Sequence, residues 1–526
     1  MSLAPRLDRQ ARLREIGRGE QWDVLVIGGG ATGLGTAVEA ASRGYRTLLL
    51  ERNDYAQGTS SRSTKLVHGG VRYLEQFNLT LVFDALRERG YMLRNAPHLV
   101  HKLNFVVPMY SYGGFAYYGP GLKAYELLSG KLSFGKSEIL SLKETKERLP
   151  TVRSEGLKGG ILYRDGQFDD ARYALALMRT LEDLGGTALN YAAVTGLLKR
   201  DGRIEGVKVH ESDSGEEFEV RARVVINATG AFTQELLQMD HGEEAPTLAL
   251  SQGSHFVLPK SFLQSTDALM IPKTDDGRVL FAIPWHEEVL VGTTDEAVPK
   301  SSINPEAMPK EKEFLAEHIH KYLSRTIVKS DVLSMWSGLR PLVRKGNAAT
   351  AKLSRDHQVT ISPSGLVSVM GGKWTTYRKM GEDTINRAAE ASGLAAVPSR
   401  TVTLKLHGWK SEAAPEVSES DRVYGSDLAS VIALGDADPT LNELLHPQLP
   451  YRKREVVWAA REEQALTTED VLARRTRALF LNAEAAIAVA DEVSRMLAKE
   501  LQRGESLRVR DLQKFRDVAE GYVYKG

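Results

Sequence analysis

A multidomain α/β protein is predicted by three features of this 526-residue sequence. A strand-like run, Asp23 to Ile27, leads directly into Gly28-Gly29-Gly30-Ala31-Thr32-Gly33 and an alanine-rich helical stretch, Ala37 to Ser42. A β-meander occupies Thr187 to Asn227 and ends in a buried-type strand, and the residues beyond Pro398 are mostly helical and charged. A chain of this length exceeds what one hydrophobic core usually organises, so two or three domains are expected.

The first feature is a strand, turn and helix whose residue types have separate reasons. Gly28 and Gly30 let the backbone turn sharply and approach a pyrophosphate, Gly33 lets the helix pack close to the strand, and the helix N-terminus offers N–H groups at the positive end of its dipole. Glu51 closes the next strand-like run, Arg46 to Leu50, at the spacing of a carboxylate that accepts hydrogen bonds from a ribose hydroxyl. Together they predict a βαβ unit that holds a dinucleotide.

Composition narrows the function further. Hydrophobic residues at 42% and charged residues at 26% describe a globular protein with ample core material, and a net charge of +1 gives no footprint for nucleic acid. The absence of cysteine excludes disulfides, iron–sulfur clusters, thiolate metal sites and cysteine nucleophiles, and no metal site is expected. The N-terminal residues lack the apolar core of a signal peptide. No stretch reaches the roughly 18 apolar residues of a membrane span, so any membrane contact is expected to be peripheral.

The remaining elements follow in chain order. A serine- and glycine-rich loop, Gln57 to Gly70, precedes a helical pattern from Leu79 to Arg94. In the meander, Ile204 to His210 and Phe218 to Val220 are joined through the turn dipeptides Asp201-Gly202 and Ser214-Gly215. It runs into Val224-Val225-Ile226 and the small-residue turn Asn227-Ala228-Thr229-Gly230, predicted to rejoin the parallel sheet. Four β-type runs, His255 to Leu258, Ala268 to Ile271, Val279 to Ile283 and Val289 to Gly292, predict an antiparallel sheet. Leu366 to Met370 reads as a strand entering Gly371-Gly372-Lys373 and a helix that starts near Thr375 or Thr376. Thr467-Thr468-Glu469-Asp470 is a capping signal for a helix over Val471 to Phe480.

Four segments are more specific than the glycine turn: Ser63 to Leu74 (STKLVHGGVRYL), Gly253-Ser254-His255, Ser337 to Leu342 (SGLRPL), and Gly371 to Arg378 (GGKWTTYR). With Asn227 to Gly230, Pro284-Trp285, Gly292 to Asp295 and the late Ala473-Arg474-Arg475-Thr476-Arg477, they resemble the FAD-dependent, membrane-associated glycerol-3-phosphate dehydrogenases along almost the whole chain. The resemblance implies a glutathione-reductase-like FAD-binding domain, an antiparallel-sheet substrate domain and a C-terminal α-helical domain. The core would span 1–388, with FAD-binding parts at about 20–75, 160–250 and 355–388, substrate-binding parts at about 76–159 and 251–354, and the helical domain at 389–526. No calcium-binding EF-hand loop follows, which favours the bacterial form over the mitochondrial one.

The implied reaction takes a hydride from C2 of sn-glycerol 3-phosphate and gives dihydroxyacetone phosphate, with FAD as cofactor and a membrane quinone as acceptor. A dianionic substrate with little apolar surface needs a cationic clamp, for which Arg72, Arg340 and Lys373 are the candidates, with Tyr73 beside them. Lys373, where a Gly-Gly turn opens a helix, also suits the charge that develops on reduction. Proton acceptance wants a histidine: His255 is favoured as the substrate contact, His68 is the alternative base close to the flavin, and the sequence does not separate them. FAD contacts are expected from Gly28, Gly30, Ala31, Thr32, Gly33, Glu51, Arg52, Ser60, Ser61, Ser63, Thr64, Lys65, Leu66, His68, Gly69, Thr229, Gly230, Gly371, Gly372, Lys373, Trp374 and Thr375.

Between Phe115 and Lys136, rings and leucines interleave with Lys123, Lys131 and Lys136, and glycines with Pro120 are expected to break the segment. It reads either as an amphipathic patch at a lipid interface or as an ordinary segment packed on the substrate domain. The resemblance tips this towards the inner face of a bacterial plasma membrane and leaves room for a homodimer. The competing readings are an oxygen-using glycerol-3-phosphate oxidase, an amino-acid or hydroxy-acid oxidase on the same fold, and a non-catalytic protein that keeps the dinucleotide fold for binding.

Overall fold

The structure, a computed structural model, describes residues 8–70, 79–242, 248–274, 277–343, 356–411 and 417–526. Arg72 and Tyr73 lie outside the described residues.

The first sheet is built around Trp22–Ile27. Across the sheet the order is His357–Ile361, Val367–Gly371, Glu217–Asn227, Trp22–Ile27, Thr47–Leu50 and Thr187–Leu189, parallel except for the first strand. Both faces are covered, which is why these strands read as continuous apolar runs. Val24 and Val26 point to a core with Leu34 and Val38 of the helix Ala31–Ser42 and with Tyr173, Met380 and Ala388. Leu25, Ile27, Leu48 and Leu50 point the other way, to Ile16, Val207, Val209 and Leu236.

Glu217–Asn227 serves two environments. Its first half alternates buried and exposed residues in the antiparallel meander, and its last four residues are all buried where it joins the parallel sheet. The expected helices at Leu79–Asn95 and Tyr377–Ser392 are present, the latter preceded by a 3₁₀ turn at Trp374–Thr376.

The second sheet is larger than the four runs expected. Among the described residues it has ten strands, and Ala249–Pro259 pairs on one side with Ser334–Leu342 through nine residues. It continues through Glu288–Gly292, Leu280–Trp285, Ala268–Ile271, Val100–Met109, Gly159–Phe168 and Leu66–Val67. Pairing is antiparallel except between Ala268–Ile271 and Val100–Met109. Gly159–Phe168, expected in the FAD-binding part, pairs along its whole length with Val100–Met109 and belongs to this sheet.

The C-terminal helices, among them Lys453–Glu462, Ala483–Glu500 and Glu505–Ala519, bury Val456, Val471, Phe480, Val493 and Phe515 against Val257, Trp285, Leu290 and Trp336 of the second sheet. The helix expected over Val471 to Phe480 is interrupted. Asp470–Arg475 forms a wide π-turn, Thr476 is extended, and Ala478–Leu481 resumes the helix. The cap itself is present, with Thr467 Oγ1 accepting the Asp470 N–H at 3.1 Å. At 100° per residue a regular helix would fan Arg474, Arg475 and Arg477 over roughly 160°. The break instead delivers all three, fully buried, to carboxylates on other elements.

Glycines and Pro120 do not break the segment after Ser111. Tyr112–Leu128 is one helix with Pro120 inside it, capped by Ser111. Pro120 and Ala116 are both exposed, so the carbonyl that loses its partner to proline faces water, where the loss costs little. Among the described residues, no helix is long and apolar enough to cross a membrane.

One contact between the parallel-sheet region and the C-terminal part is set by protonation. His407 places Nδ1 2.6 Å from Asp183 and Nε2 2.8 Å from Asp427, so only the imidazolium can donate to both carboxylates. Burial opposes the charge, but these hydrogen bonds outweigh it and raise the His407 pKa above its ordinary value. A raised folded-state value gives stability that is complete below the unfolded pKa of roughly 6.5 and lost as pH rises through the folded one. His407→Gln is therefore expected to reduce unfolding free energy by about 1–3 kcal/mol at pH 6, with the deficit shrinking towards pH 9. Urea unfolding of both proteins at the two pH values checks this, and a deficit that grows with pH would contradict it.

Candidate active site

The glycine turn has tighter requirements than approach to a ligand. Gly28 has φ +111°, and a Cβ on it would lie 2.6 Å from the Ala228 carbonyl oxygen. A Cβ on Gly33 would overlap the Gly28 carbonyl oxygen. Gly30 occupies the N-cap without a side chain, and the Ala31 N–H is taken by Ser60 Oγ at 2.9 Å. Glu51 accepts the N–H groups of Gly29 at 2.6 Å and Asn53 at 2.8 Å. Burial nonetheless holds its carboxyl above the ordinary value.

Gly28, Gly30, Ala31, Glu51 and Ser60 line a cavity, open to solvent and holding about 1250 Å³ of space, together with Thr32, Arg52, Thr229, Gly230, Gly371, Gly372, Lys373 and Trp374, whereas Gly33 packs behind the turn and does not border it. The sequence did not single out Asn53, Val194 or Phe232, which also line it, because nothing local distinguishes them. A second cavity of about 1660 Å³ shares Thr59, Pro341, Gly372, Lys373 and Trp374 with the first and is lined by Ser63, Thr64, Leu66, His68, His255, Arg340 and Thr375. Gly371 and Gly372, at φ +73° and +84°, turn the chain out of its strand so that Lys373 borders both spaces.

Arg340 comes from the strand Ser334–Leu342 and is aimed by the turn after Glu288–Gly292. Its Nη2 donates to Thr293 Oγ1 at 2.9 Å and Nη1 to the Thr294 carbonyl at 3.2 Å, with Asp295 at 3.6 Å. That turn is fixed from behind by buried Glu311, which accepts from Thr294 Oγ1 and, at 2.7 Å, from Gln252 Nε2. A Cβ on Gly253 would overlap the guanidinium, so the glycine of Gly253-Ser254-His255 makes room for Arg340. Likewise, a Cβ on Gly292 would overlap the His255 ring.

His255 is 1% exposed and stacks on Trp336 with ring centres 4.1 Å apart. Its Nε2 lies 2.9 Å from Thr64 Oγ1, and Nδ1 is buried with no hydrogen-bond partner among the described residues. Burial, reinforced by Lys65 and Arg340, pushes its pKa well below 6.5, so the ring is neutral. His68 borders the same cavity, and its backbone N–H donates to Thr375 Oγ1 at 3.3 Å. The structure thus brings His255, His68, Arg340 and Lys373 around one space.

In the serine-rich loop Ser60, Ser63 and Thr64 border the cavities, and several polar groups of the loop are also engaged within the protein. Ser63 gives both its N–H and its Oγ to Asp170, at 3.0 and 2.7 Å. Ser61, Lys65 and Gly69 border neither cavity. Lys65, at φ +61° and wholly buried, donates to the Ser61 carbonyl at 2.7 Å and to Asp170 at 2.8 Å. Burial pushes its ammonium down to about 7, against the pull of Asp170. Gly69 faces Leu86 and donates to Tyr125 Oη at 2.6 Å. Thr293, Asp295 and Arg278 border the second cavity without having been singled out. The first two stood in a segment that carried the resemblance, whereas Arg278 had no signal at all.

A side-chain-free glycine cradle at a helix N-terminus, opening into a chamber with a cation, suits a group with a pyrophosphate in its middle and a redox ring at one end. The residues fit FAD, and the fold and site define a dinucleotide-dependent oxidoreductase. Comparison with known proteins agrees: the profile of the FAD dependent oxidoreductases matches residues 23–378, and that of the C-terminal domain of alpha-glycerophosphate oxidase matches 370–508. The mitochondrial glycerol-3-phosphate dehydrogenase of Rattus norvegicus is 38% identical, the match covering 96% of this chain and 74% of that protein. A probable mitochondrial glycerol-3-phosphate dehydrogenase of Caenorhabditis elegans is 40% identical over 94% of this chain and 72% of its own. The crystal structure of the glycerol-3-phosphate dehydrogenase of Bacillus halodurans complexed with FAD superimposes with a TM-score of 0.80 at 28% identity, covering 98% of this chain and 97% of that one. The chain belongs to the family of FAD-dependent glycerol-3-phosphate dehydrogenases.

The packing at Gly33 yields a direct test. Gly33→Ala is expected to weaken FAD binding at least tenfold, because the added methyl must push the helix N-terminus off the turn. Titration of flavin fluorescence against apoprotein measures it, and wild-type affinity would refute the stated role of this glycine.

Proposed function

We propose that this protein binds FAD and oxidises sn-glycerol 3-phosphate to dihydroxyacetone phosphate, passing the electrons to a membrane quinone. The observation that carries the reading is one chamber in which a neutral, buried histidine stands with two cations, Arg340 and Lys373. FAD, when bound, supplies the acceptor for the hydride that leaves C2.

The chain's own residues account for the rest of the chemistry. Arg340 offers a planar fork to the phosphate oxygens from a fixed orientation, and Lys373 adds a second positive charge. As C2 becomes a carbonyl, its hydroxyl proton must leave, and His255, neutral and with Nδ1 unpartnered, can accept it. A weak base suffices because the hydroxyl acidifies as the hydride departs. His68 is the alternative acceptor, and its position on the same cavity keeps it in the reading.

The apolar wall of the second cavity, with Phe105, Tyr163, Met270, Val279 and Phe281, offers surface that a glycerol phosphate does not need. It supports an aromatic acceptor such as a quinone over oxygen. Peripheral membrane attachment is supported by the helix Tyr112–Leu128, which buries Leu122 and Tyr125 yet exposes Tyr112 at 77%, Tyr117 at 64% and Leu127 at 71%. Lys136 is exposed nearby, whereas Lys123 is held by Glu126 at 2.8 Å.

Anaerobic addition of sn-glycerol 3-phosphate is expected to bleach the flavin spectrum, while glycerol and L-lactate leave it oxidised. His255→Ala should keep FAD and reduce about 10²-fold more slowly. If His255→Ala and His68→Ala both reduce at the wild-type rate, the proposal that one of these histidines is the base is wrong. Replacing Tyr112, Tyr117 and Leu127 together by serine is expected to abolish sedimentation with vesicles containing anionic lipid, and undiminished sedimentation would remove this helix from the membrane reading.

A further inference from the structure

Among the described residues, none bordering either cavity comes from beyond Thr375, so the C-terminal helical domain approaches this site through other residues. One of its approaches is made by Arg477, among the arginines delivered by the break at Thr476. Arg477 Nη2 donates to the Ser61 carbonyl at 2.8 Å and to Asp170 Oδ1 at 3.2 Å, and its guanidinium lies 4.3 Å from the Phe480 ring centre. Lys65 reaches the same two acceptors from the other side, the Ser61 carbonyl and Asp170 Oδ2. Asp170 also takes the N–H and Oγ of Ser63. Six donated hydrogen bonds from the loop and Arg477 therefore converge on one carboxylate and one carbonyl, all below the surface.

What this knot holds is the loop between Ser60 and Lys65. At its start, Ser60 accepts the Ala31 N–H at the dinucleotide turn and, through its carbonyl, the Trp374 Nε1–H at 2.9 Å. Near its end, Thr64 meets His255 Nε2 at 2.9 Å. The Lys65 ammonium lies 4.6 Å from the Trp336 ring, on which His255 stacks. A shift of this loop would move Thr64 against His255, whose ring is held on its other side by Trp336, and with it the hydrogen bond that orients the imidazole.

We infer that Arg477 of the C-terminal domain is a positioning residue for the oxidation: with Asp170 and Lys65 it locks the Ser60–Lys65 loop so that Thr64 holds His255 in its reactive orientation. The inference rests on His255 being the proton acceptor. It gives the helical domain a role at the site without contact with substrate or cofactor. Charge alone is not the requirement: the guanidinium bridges the two acceptors through Nη2 while Nη1 donates to the Ala473 carbonyl at 2.8 Å, a spread of donors that a point-like ammonium does not reproduce.

The test uses the FAD-loaded full chain carrying Arg477→Lys, Asp170→Asn, Thr64→Val or Arg477→Lys with Thr64→Val. Stopped-flow reduction by sn-glycerol 3-phosphate should show the limiting rate of Arg477→Lys down at least tenfold, with the apparent substrate affinity, set by Arg340 and Lys373, changed less than twofold. The double variant should be no slower than Thr64→Val within a factor of two, because both act through one contact. Amide hydrogen exchange of the holoprotein supplies a readout without substrate: the peptide covering 60–66 should lose protection while the strands of both sheets keep theirs. Wild-type reduction per bound flavin in Arg477→Lys and Asp170→Asn overturns the inference. So does a multiplicative loss in the double variant, or a loss of protection spread through the whole protein, which marks a merely structural role. If wild type itself is not reduced by the phosphate ester, the substrate reading fails, and the exchange pattern alone still upholds or overturns the locking of the loop.

Discussion

Two aspartates of the dinucleotide-binding region, Asp54 and Asp170, are buried almost completely, and the arrangement of the molecule follows from the need to neutralise them. An unpaired carboxylate in such a place is untenable, and breaking a buried pair costs about 3–5 kcal/mol. Asp54 receives Arg474 and Arg475, and Asp170 receives Lys65 and Arg477. Burial alone would raise the Asp54 carboxyl, but Arg475 and Arg474 hold it below its ordinary value. Three of these four cations come from a segment more than 300 residues away in sequence. The helical domain is thus bound to the parallel-sheet region by charge as well as by its apolar face on the second sheet.

That seam explains local irregularities that would otherwise cost stability without return. Lys65 adopts a left-handed backbone, a cost of about 1–2 kcal/mol for a residue with a Cβ. Its ammonium bonds over-determine that conformation. The π-turn at Asp470–Arg475 and the extended Thr476 have the same origin. Strain is placed where it aims side chains at buried partners, and the regular helices on either side carry the packing.

The cavity obeys a different constraint, which is space. Gly253, Gly292 and Gly338 sit on strands, where glycine is normally unfavourable, and each is there because a Cβ would collide with a neighbour: the Arg340 guanidinium, the His255 ring and the Arg62 backbone, respectively. The Arg340 guanidinium is accordingly seated in a space made for it. Arg340 is oriented by Thr293 and Thr294, and these are held in turn by Glu311.

The sequence by itself determined the parallel sheet, the glycine turn, the meander and the family, because those signals are local: glycine freedom, strand alternation and helix starts act within a few residues of one another. It also named His255, His68, Arg340 and Lys373, which do share one space. Only the tertiary structure decided that Ser61, Ser63 and Lys65 serve a buried charge knot, that the second sheet has ten strands, and that a late arginine motif reaches the loop beside the histidine. Those outcomes depend on partners that are remote in the chain. A buried charge takes its meaning from the group opposite it, and no pattern in the surrounding residues records which group that is.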